Sequence, residues 1–124
     1  MILGIGTDIM EVARIRKAFA KTPGLREDIF TTHEIEYCES KANKFQHYAA
    51  RFAAKEALLK AIGSGLQFGI RFNQIEISNN DLGEPFFNLK DQAKVFAKKK
   101  GIKKILVSLA HVKDYATAMV IVEG

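Results

Sequence analysis

A long alanine-rich stretch, from Arg51 to Gly65, constrains the fold of this chain more than any other feature of its sequence. Its residues favour a helix, and the glycines at its end predict that the helix stops at Gly63. At helical spacing, one face of this helix carries Phe52, Glu56, Lys60 and Gly63. A face that meets only solvent or only a core is not expected to combine an aromatic ring, a carboxylate, an ammonium group and a glycine turn. The stripe indicates a site for an anionic ligand together with a metal ion.

The hydrophobic pattern around this helix predicts an α+β fold. In chain order, the expected elements are a strand over 2–9, a helix over 11–21, a looser segment with Pro23 and Gly24, a short helix that starts at Thr32, the long helix over 45–62, strands near 72–78 and at 86–89, a basic helix near 90–100, and strands over 103–111 and 115–122. Gly4 and Gly6 in the first strand mark a close approach of another backbone or of a ligand. The turn Val112-Lys113-Asp114 favours an antiparallel hairpin. Helices against a mostly antiparallel sheet define the class, and the length fits one domain over 1–124.

Composition narrows the class of protein further. The chain has 124 residues, of which 48% are hydrophobic and 27% are charged, values typical of a globular protein. No stretch approaches the roughly 18 consecutive apolar residues of a membrane span, and the N-terminus lacks the basic lead-in of a signal peptide. The single cysteine, Cys38, excludes an internal disulfide and fits a reducing compartment. We therefore expect a cytoplasmic protein without a membrane partner.

The net charge of +5 is concentrated in two basic clusters. One comprises Arg14, Arg16, Lys17, Lys21 and Arg26, and the other comprises Lys94, Lys98, Lys99, Lys100, Lys103 and Lys104. An acidic protein, a phosphorylated ligand or nucleic acid would each explain such clusters, and so would the solvated faces of two amphipathic helices. The chain has no tryptophan and no interleaving of aromatic and basic residues, so nucleic acid is not expected as a partner.

Two carboxylates on separate predicted elements are candidate metal ligands. Asp8 closes the first strand, and Glu56 lies in the middle of the long helix. Mg²⁺ commonly takes one or two protein carboxylates and completes its shell with water and phosphate oxygens. Two other interpretations stay open at this point. Asp8 can simply form a cap or a turn, and Glu56 can be the ion-pair partner of Lys60, which is worth about 0.2–0.5 kcal/mol.

Lys60, the Gly63-Ser64-Gly65 turn and His111 are candidate ligand-binding groups. A lysine beside exposed backbone N–H groups can hold a diphosphate, although most Gly-Ser-Gly tripeptides are only helix ends or loops. His111 ends an apolar strand. There it can donate to a phosphate, relay a proton or have a purely structural role.

Three blocks of sequence, taken in order, carry a more specific signal. They are Gly4-Ile5-Gly6-Thr7-Asp8-Ile9 followed by Arg14-Ile15, then Arg51-Phe52-Ala53-Ala54-Lys55-Glu56-Ala57-Leu58-Leu59-Lys60-Ala61, and finally Ser108-Leu109-Ala110-His111 with Tyr115-Ala116-Thr117-Ala118. Together they resemble the holo-acyl-carrier-protein synthases, the small bacterial type of 4′-phosphopantetheinyl transferase. The second block is similar to that family's most specific signature, and the resemblance spans nearly the whole chain.

The resemblance implies a role for each matching residue. Asp8 and Glu56 would hold Mg²⁺ against the diphosphate of coenzyme A, and Lys60 would contact the phosphates or assist proton transfer. The other contacts to coenzyme A would come from Gly63, Ser64, Gly65, Pro85, Ser108 and His111. Among these, Pro85 would lie near the adenine and His111 at the phosphate region.

The resemblance also implies a reaction and an assembly. The family moves 4′-phosphopantetheine from coenzyme A to a serine hydroxyl of apo-acyl carrier protein and releases adenosine 3′,5′-bisphosphate, which activates the carrier for fatty acid synthesis. The family's 4′-phosphopantetheinyl transferase fold assembles as a homotrimer with active sites at the subunit interfaces. Because carrier proteins are acidic, Arg14, Lys17 and Lys21 on one face of the first helix are expected to bind the carrier.

Two departures from the family pattern bear on affinity for the nucleotide. Ala110 replaces the second serine of a Ser-Leu-Ser-His block, and Ser64 stands where threonine is common. Neither touches the expected metal ligands, so we expect activity to survive. Two competing hypotheses remain: a non-catalytic module that binds an acidic protein or nucleic acid through the basic clusters, and an inactive relative of the transferases.

Overall fold

The long helix of this chain packs across one face of a three-stranded sheet. A computed structural model describes residues 1–124. In chain order the elements are β1 (Ile2–Glu11), α1 (Val12–Lys21), α2 (Leu25–Ile29), α3 (Thr32–Glu39), α4 (Lys44–Ile62), β2 (Ile75–Asn79), β3 (Pro85–Leu89), α5 (Asp91–Lys99), β4 (Lys104–His111) and β5 (Tyr115–Glu123). Both sheets are antiparallel, so the predicted α+β fold is confirmed. None of the helices combines the length and the apolar character that a membrane crossing requires.

Small residues allow α4 to approach β1 closely. The side of α4 that faces the sheet includes Ala57 and Ala61, which are buried. A Cβ atom added to Gly6 would lie 1.9 Å from the carbonyl oxygen of Ala57, and one added to Gly4 would lie 1.9 Å from that of Ala61. Such distances are far below van der Waals contact, so the two backbones can lie this close only because both glycines lack a side chain. The prediction of a close backbone approach at Gly4 and Gly6 is confirmed.

The larger sheet has the strand order β1-β5-β4 and two unlike faces. Alternate residues of β1 and β5 point toward α4, and Asp8 on this side is paired in register with Ala118. The opposite face carries apolar side chains that remain open to solvent, including Ile5 at 62%, Ile9 at 61% and Met119 at 48% exposure. One face of the sheet therefore belongs to the core, while the other presents an uncovered apolar surface.

The smaller sheet pairs β2 with β3, and its start differs from the prediction. A strand was expected near 72–78, but Phe72–Gln74 forms a 3₁₀ turn and the strand begins at Ile75. The segment with Pro23 and Gly24 also differs, because it leads into α2. That helix has only five residues. The sequence did not predict it because so short a helix does not show a hydrophobic period.

The first turn of α3 is stabilised by a capping box. Thr31 is the N-cap, and its Oγ1 accepts a hydrogen bond from the backbone N–H of Glu34 at 3.2 Å. In return, Glu34 Oε1 accepts from the backbone N–H of Thr31 at 3.0 Å. The helix therefore begins at Thr32, as the sequence predicts, with its first orphan donors satisfied.

Candidate active site

Asp8 meets α4 because it lies on the inward side of β1, two residues beyond Gly6. Lys60 Nζ donates to Asp8 Oδ1 at 3.1 Å and to the carbonyl oxygen of Thr7 at 3.1 Å. The second oxygen of the carboxylate, Asp8 Oδ2, is buried and has no hydrogen-bond partner. A buried carboxylate oxygen without a donor is costly, so this atom is available to a cation. The ion pair considered between Glu56 and Lys60 is not formed, since Lys60 pairs with Asp8 instead.

Glu56 lies beside Asp8 without an ion-pair partner of its own. Burial raises the pKa of the Glu56 carboxyl, and the negative charge of Asp8 raises it further, while Lys60 and Arg14 act in the opposite sense. Two carboxylates that repel each other in a partly buried place are relieved by a bound cation. The arrangement fits the predicted metal site.

The protein supplies two carboxylates to such a site, and it has no group of three or more His, Cys, Asp and Glu side chains that could hold a metal ion. A set of two carboxylates suits Mg²⁺, which keeps several waters and takes phosphate oxygens from a substrate. The donor set therefore fits a hard cation that arrives with an anionic ligand.

Two cavities meet at Glu56. The first, of about 550 Å³, lies between α1, α2 and α4, and its walls are mainly apolar, with Ile15, Phe19 and Phe52 among them. The second, of about 480 Å³, follows α4 past Lys60 to Gly63 and Gly65. Glu56 and Phe72 are the residues that line both cavities. Two reactants can therefore reach the same carboxylate from different sides.

The glycine turn lies at the second cavity, but it does not offer the free backbone donors that the sequence suggested. Gly63 has a φ of 76° and ends α4 in the left-handed conformation. Its N–H donates to the carbonyl of Leu59 at 3.0 Å, and the N–H of Ser64 donates to the same carbonyl at 3.2 Å. The Ser64 hydroxyl, which is buried, donates to the Gly65 carbonyl at 2.9 Å. The expectation of exposed N–H groups is wrong for Gly63 and Ser64, because both cap the helix.

Three predicted contacts to coenzyme A lie outside the two cavities at Glu56 within one chain. Ser108 is on the solvent face of the sheet, opposite Met119 in register. Pro85 starts β3, and His111 ends β4. None of the three lines either cavity at Glu56. The chain therefore holds two separate groups of predicted site residues.

His111 lies beside His47, which has cationic side chains nearby. Its ring lies 5.2 Å from that of His47, and the pKa of His47 is lowered by burial and by the nearby charges of His111, Arg51 and Lys41. The guanidinium of Arg51 stacks 4.0 Å from the ring centre of Tyr37 and donates to Asn79 Oδ1 at 2.7 Å. Asn79 pairs with Pro85 in the β2–β3 ladder, so Arg51 links the neighbourhoods of Pro85 and His111.

Sequence reasoning missed Arg51 and His47 as members of this second group. Arg51 is 3% exposed, and its Nε is buried without a partner. Buried guanidinium groups without complete pairing are uncommon. The sequence did contain a signal for Arg51, because it is the one charged residue among the apolar and aromatic residues from 48 to 54.

The face of α1 that was predicted to bind an acidic partner is open to solvent. Arg14, Lys17 and Lys21 are all exposed, and none of them forms an ion pair. Arg14 also lines the apolar cavity that contains Glu56. A partner held by this basic face would therefore lie next to the carboxylates.

Comparison with known proteins defines the class. The family model described as the 4′-phosphopantetheinyl transferase superfamily matches residues 4–120. A holo-[acyl-carrier-protein] synthase of Cytophaga hutchinsonii is 48% identical over 123 residues, which cover 98% of this chain and 97% of that protein. One from a Geobacter species is 44% identical over 124 residues and 99% of each chain.

Comparison with solved structures indicates the same family as the comparison of sequences. The crystal structure of the holo-[acyl-carrier-protein] synthase from Neisseria meningitidis superposes with a TM-score of 0.92 over 100% of both chains, at 32% identity. The enzyme from Helicobacter pylori, solved in complex with coenzyme A, gives 0.82 over 96% of this chain and 99% of that chain, at 30% identity. The chain therefore belongs to the 4′-phosphopantetheinyl transferase superfamily, as an enzyme of the holo-[acyl-carrier-protein] synthase family. This membership favours the enzyme hypothesis over the non-catalytic binding module.

Proposed function

We propose that this enzyme transfers 4′-phosphopantetheine from coenzyme A to a serine hydroxyl of an acidic apo-acyl carrier protein, with Mg²⁺ as cofactor, and releases adenosine 3′,5′-bisphosphate. The observation that carries the proposal is the group formed by Asp8, Glu56 and Lys60, in which a buried carboxylate oxygen lacks any partner. The relatives at 44–48% identity are synthases that act on acyl carrier protein by name, and one structural neighbour was solved with coenzyme A.

Lys60 is positioned to hold a phosphate. An ammonium group has three donors, and two of them are engaged by Asp8 and by the carbonyl of Thr7. The third is free, and the side chain is 56% exposed at the second cavity. We assign it to an oxygen of the coenzyme A diphosphate, where a fixed positive charge stabilises the charge that develops during phosphoryl transfer.

Asp8 and Glu56 are the residues that would hold Mg²⁺, which when bound neutralises negative charge on the diphosphate oxygens. The raised pKa of Glu56 belongs to the protein without a cation. A bound cation would favour the ionised carboxylate and lower that pKa again, so Glu56 is assigned to metal binding.

We propose that the carrier protein docks on α1. The exposed cations Arg14, Lys17 and Lys21 complement an acidic helix, and such complementarity speeds encounter and sets orientation. Asp8 and Glu56 line the same apolar cavity as Arg14, and we assign this cavity to the approach of the serine hydroxyl.

We further propose a homotrimer with active sites between subunits. The solvent-exposed face of the β1-β5-β4 sheet presents Ile5, Ile9 and Met119, and apolar surface of this kind marks an interface. Pro85, Ser108 and His111 line neither of the cavities at Glu56 within their own chain. A neighbouring subunit would supply them, so that His111 and Arg51 meet the nucleotide phosphates across the interface.

Two further parts of the proposal come from the sequence and the family alone. They are a cytoplasmic location, which the single free cysteine fits, and a role in fatty acid synthesis.

The decisive test combines the protein with coenzyme A, Mg²⁺ and a competent apo-carrier protein, and measures the mass of the carrier. We expect addition of one phosphopantetheine group. Glu56→Gln should abolish transfer and leave the circular dichroism spectrum unchanged, whereas Glu36→Gln, at an exposed position on α3, should behave as wild type. No added mass with wild-type protein would refute the proposal and support an inactive relative. Full activity of Glu56→Gln would remove Glu56 from the site.

A further inference from the structure

Lys55, the residue before Glu56, is a fully buried cation that has no part in the chemistry proposed above. Its side chain is 0% exposed. Lys55 Nζ donates to Glu34 Oε1 at 2.8 Å, to the carbonyl of Phe72 at 2.9 Å and to the carbonyl of Ile75 at 2.6 Å. All three ammonium donors are therefore used. One side chain of α4 joins the start of α3, the 3₁₀ turn and the start of β2.

The Glu34 carboxylate, which accepts from Lys55, also has all its oxygens hydrogen-bonded. Glu34 is 0% exposed, and its Oε2 accepts from the backbone N–H of Ile77 at 2.9 Å. Its Oε1 accepts from Thr31 in the capping box as well as from Lys55. Burial lowers the pKa of the Lys55 ammonium, and the Glu34 carboxylate acts against that shift. The pair is thus a tight ionic tether rather than a surface contact.

Stability alone is a weak reason for such a pair. Taking two charges out of water is costly, and replacement of a buried ion pair by apolar residues of similar volume is often neutral or stabilising. An apolar pair cannot hold two backbone carbonyls at a defined place. The hydrogen bonds from Lys55 to the carbonyls of Phe72 and Ile75 do so.

The tethered segment carries a side chain that stands at the candidate active site. The ring of Phe72 packs 5.1 Å, centre to centre, from that of Phe52 on α4. Phe72 lines the apolar cavity beside α1 and also the cavity along Lys60 and the glycine turn, and Glu56 is the other residue that lines both. Phe72 therefore stands where the two cavities adjoin, beside Glu56.

We propose that Lys55 is a positioning residue, whose ammonium ties the backbone at Phe72 and Ile75 to α4 and so holds the Phe72 ring as the wall between the two cavities that meet at Glu56. This inference rests on the proposed function, in which the carrier serine and the coenzyme A diphosphate approach Glu56 from different cavities. A ring displaced from this place would let the two reactants bind without the alignment that in-line transfer needs. The loss should therefore fall on kcat rather than on KM.

The test measures kcat and KM for coenzyme A and for the carrier in four proteins: wild type, Lys55→Met, Phe72→Ala and the double variant. Lys98→Met on the exposed side of α5 is the control for loss of one positive charge. We expect each of the two single variants to lower kcat at least tenfold with KM changed less than threefold. If Lys55 acts through Phe72, the double variant should lie within about twofold of Phe72→Ala, because the effects of coupled residues are not additive.

Folding is monitored by circular dichroism and urea denaturation. Lys55→Met leaves Glu34 as an unpaired buried charge, so Lys55→Met with Glu34→Gln is measured beside it. Phe72→Ala keeps the charges of Lys55 and Glu34 and both backbone carbonyls that Lys55 binds. It therefore tests the role of the Phe72 ring between the two cavities even if the lysine variants fail to fold. Wild-type kcat in folded Phe72→Ala, wild-type kcat in either folded lysine variant, or multiplied effects in the double variant would overturn the proposal. An inactive wild-type protein would instead contradict the proposed function.

Discussion

Gly6→Ala tests the idea that glycine in β1 sets the distance between the two carboxylates. The new Cβ would lie 1.9 Å from the Ala57 carbonyl oxygen and 2.9 Å from the Ala61 nitrogen. Ordinary contact begins near 3.4 Å, so β1 and α4 must separate by about 1.5 Å, the difference between 3.4 and 1.9 Å. Because the overlap is with backbone atoms, rotation of a side chain cannot relieve it.

This separation should affect both stability and activity. Overpacking of a well-packed core typically costs about 1–3 kcal/mol, and overlap with a helix backbone should place Gly6→Ala at the upper end of that range. Asp8 lies two residues further along the same side of β1, so it moves away from Lys60, which it now meets at 3.1 Å. A misplacement of about 1 Å can lower a rate about 100-fold. We expect a loss of that order in the transfer rate.

The assays are urea denaturation and the mass-based transfer assay. Gly101→Ala is the matched control, because Gly101 has a φ of 77° and nothing within 4 Å of an added Cβ. It should lose about 1–2 kcal/mol from backbone strain and keep its full rate at a temperature at which it is folded. Gly6→Ala with wild-type stability and rate would refute the reasoning, because the helix and strand would then be able to separate without consequence.

Three further outcomes are expected. Lys17→Glu, at an exposed position of α1 that does not line the cavity at Glu56, should raise KM for the carrier several-fold with little change in kcat. Added salt should weaken binding of the carrier to the wild-type enzyme in the same way; if neither change affects binding, the basic face of α1 is only a solvated surface. Glu56→Gln should raise the melting temperature of the metal-free protein at pH 7. Because the pKa of the Glu56 carboxyl is raised in the folded state, the stability due to its protonated form is present at low pH and is lost as pH rises through the folded-state pKa. The neutral amide of Gln does not undergo this loss. An unchanged or lower melting temperature would contradict the raised pKa. Met119→Glu should convert the proposed trimer into monomers in light scattering, and transfer activity should be lost with it; a monodisperse wild-type monomer that is active would exclude the shared site.

Much of the fold could be predicted because it depends on local patterns. The 3.6-residue period and the glycine end of α4 required no knowledge of other elements, and the helix was expected over 45–62 against Lys44–Ile62 in the structure. The hairpin of β4 and β5 followed from alternation and a short turn. The exceptions were α2 and the 3₁₀ turn at Phe72–Gln74, which are too short to carry a period.

The candidate site was predictable as a set of residues but not as a geometry. Asp8, Glu56 and Lys60 were all named from the sequence, and the spacing along α4 left open an ion pair between Lys60 and Glu56. The structure pairs it with Asp8, 52 residues away. The free N–H groups expected at the glycine turn are used in the cap of α4.

The sequence by itself therefore determined the longer helices and strands, the candidate carboxylates and lysine, and the glycines that allow a close approach, because each depends on residue type and local spacing. Only the tertiary structure decided which charges meet. The sequence analysis assigned no role to Lys55, and the structure buries it fully against Glu34 and two backbone carbonyls. Such pairings depend on how distant segments pack, and that packing decides whether a charge is buried with a partner or left to bind a ligand.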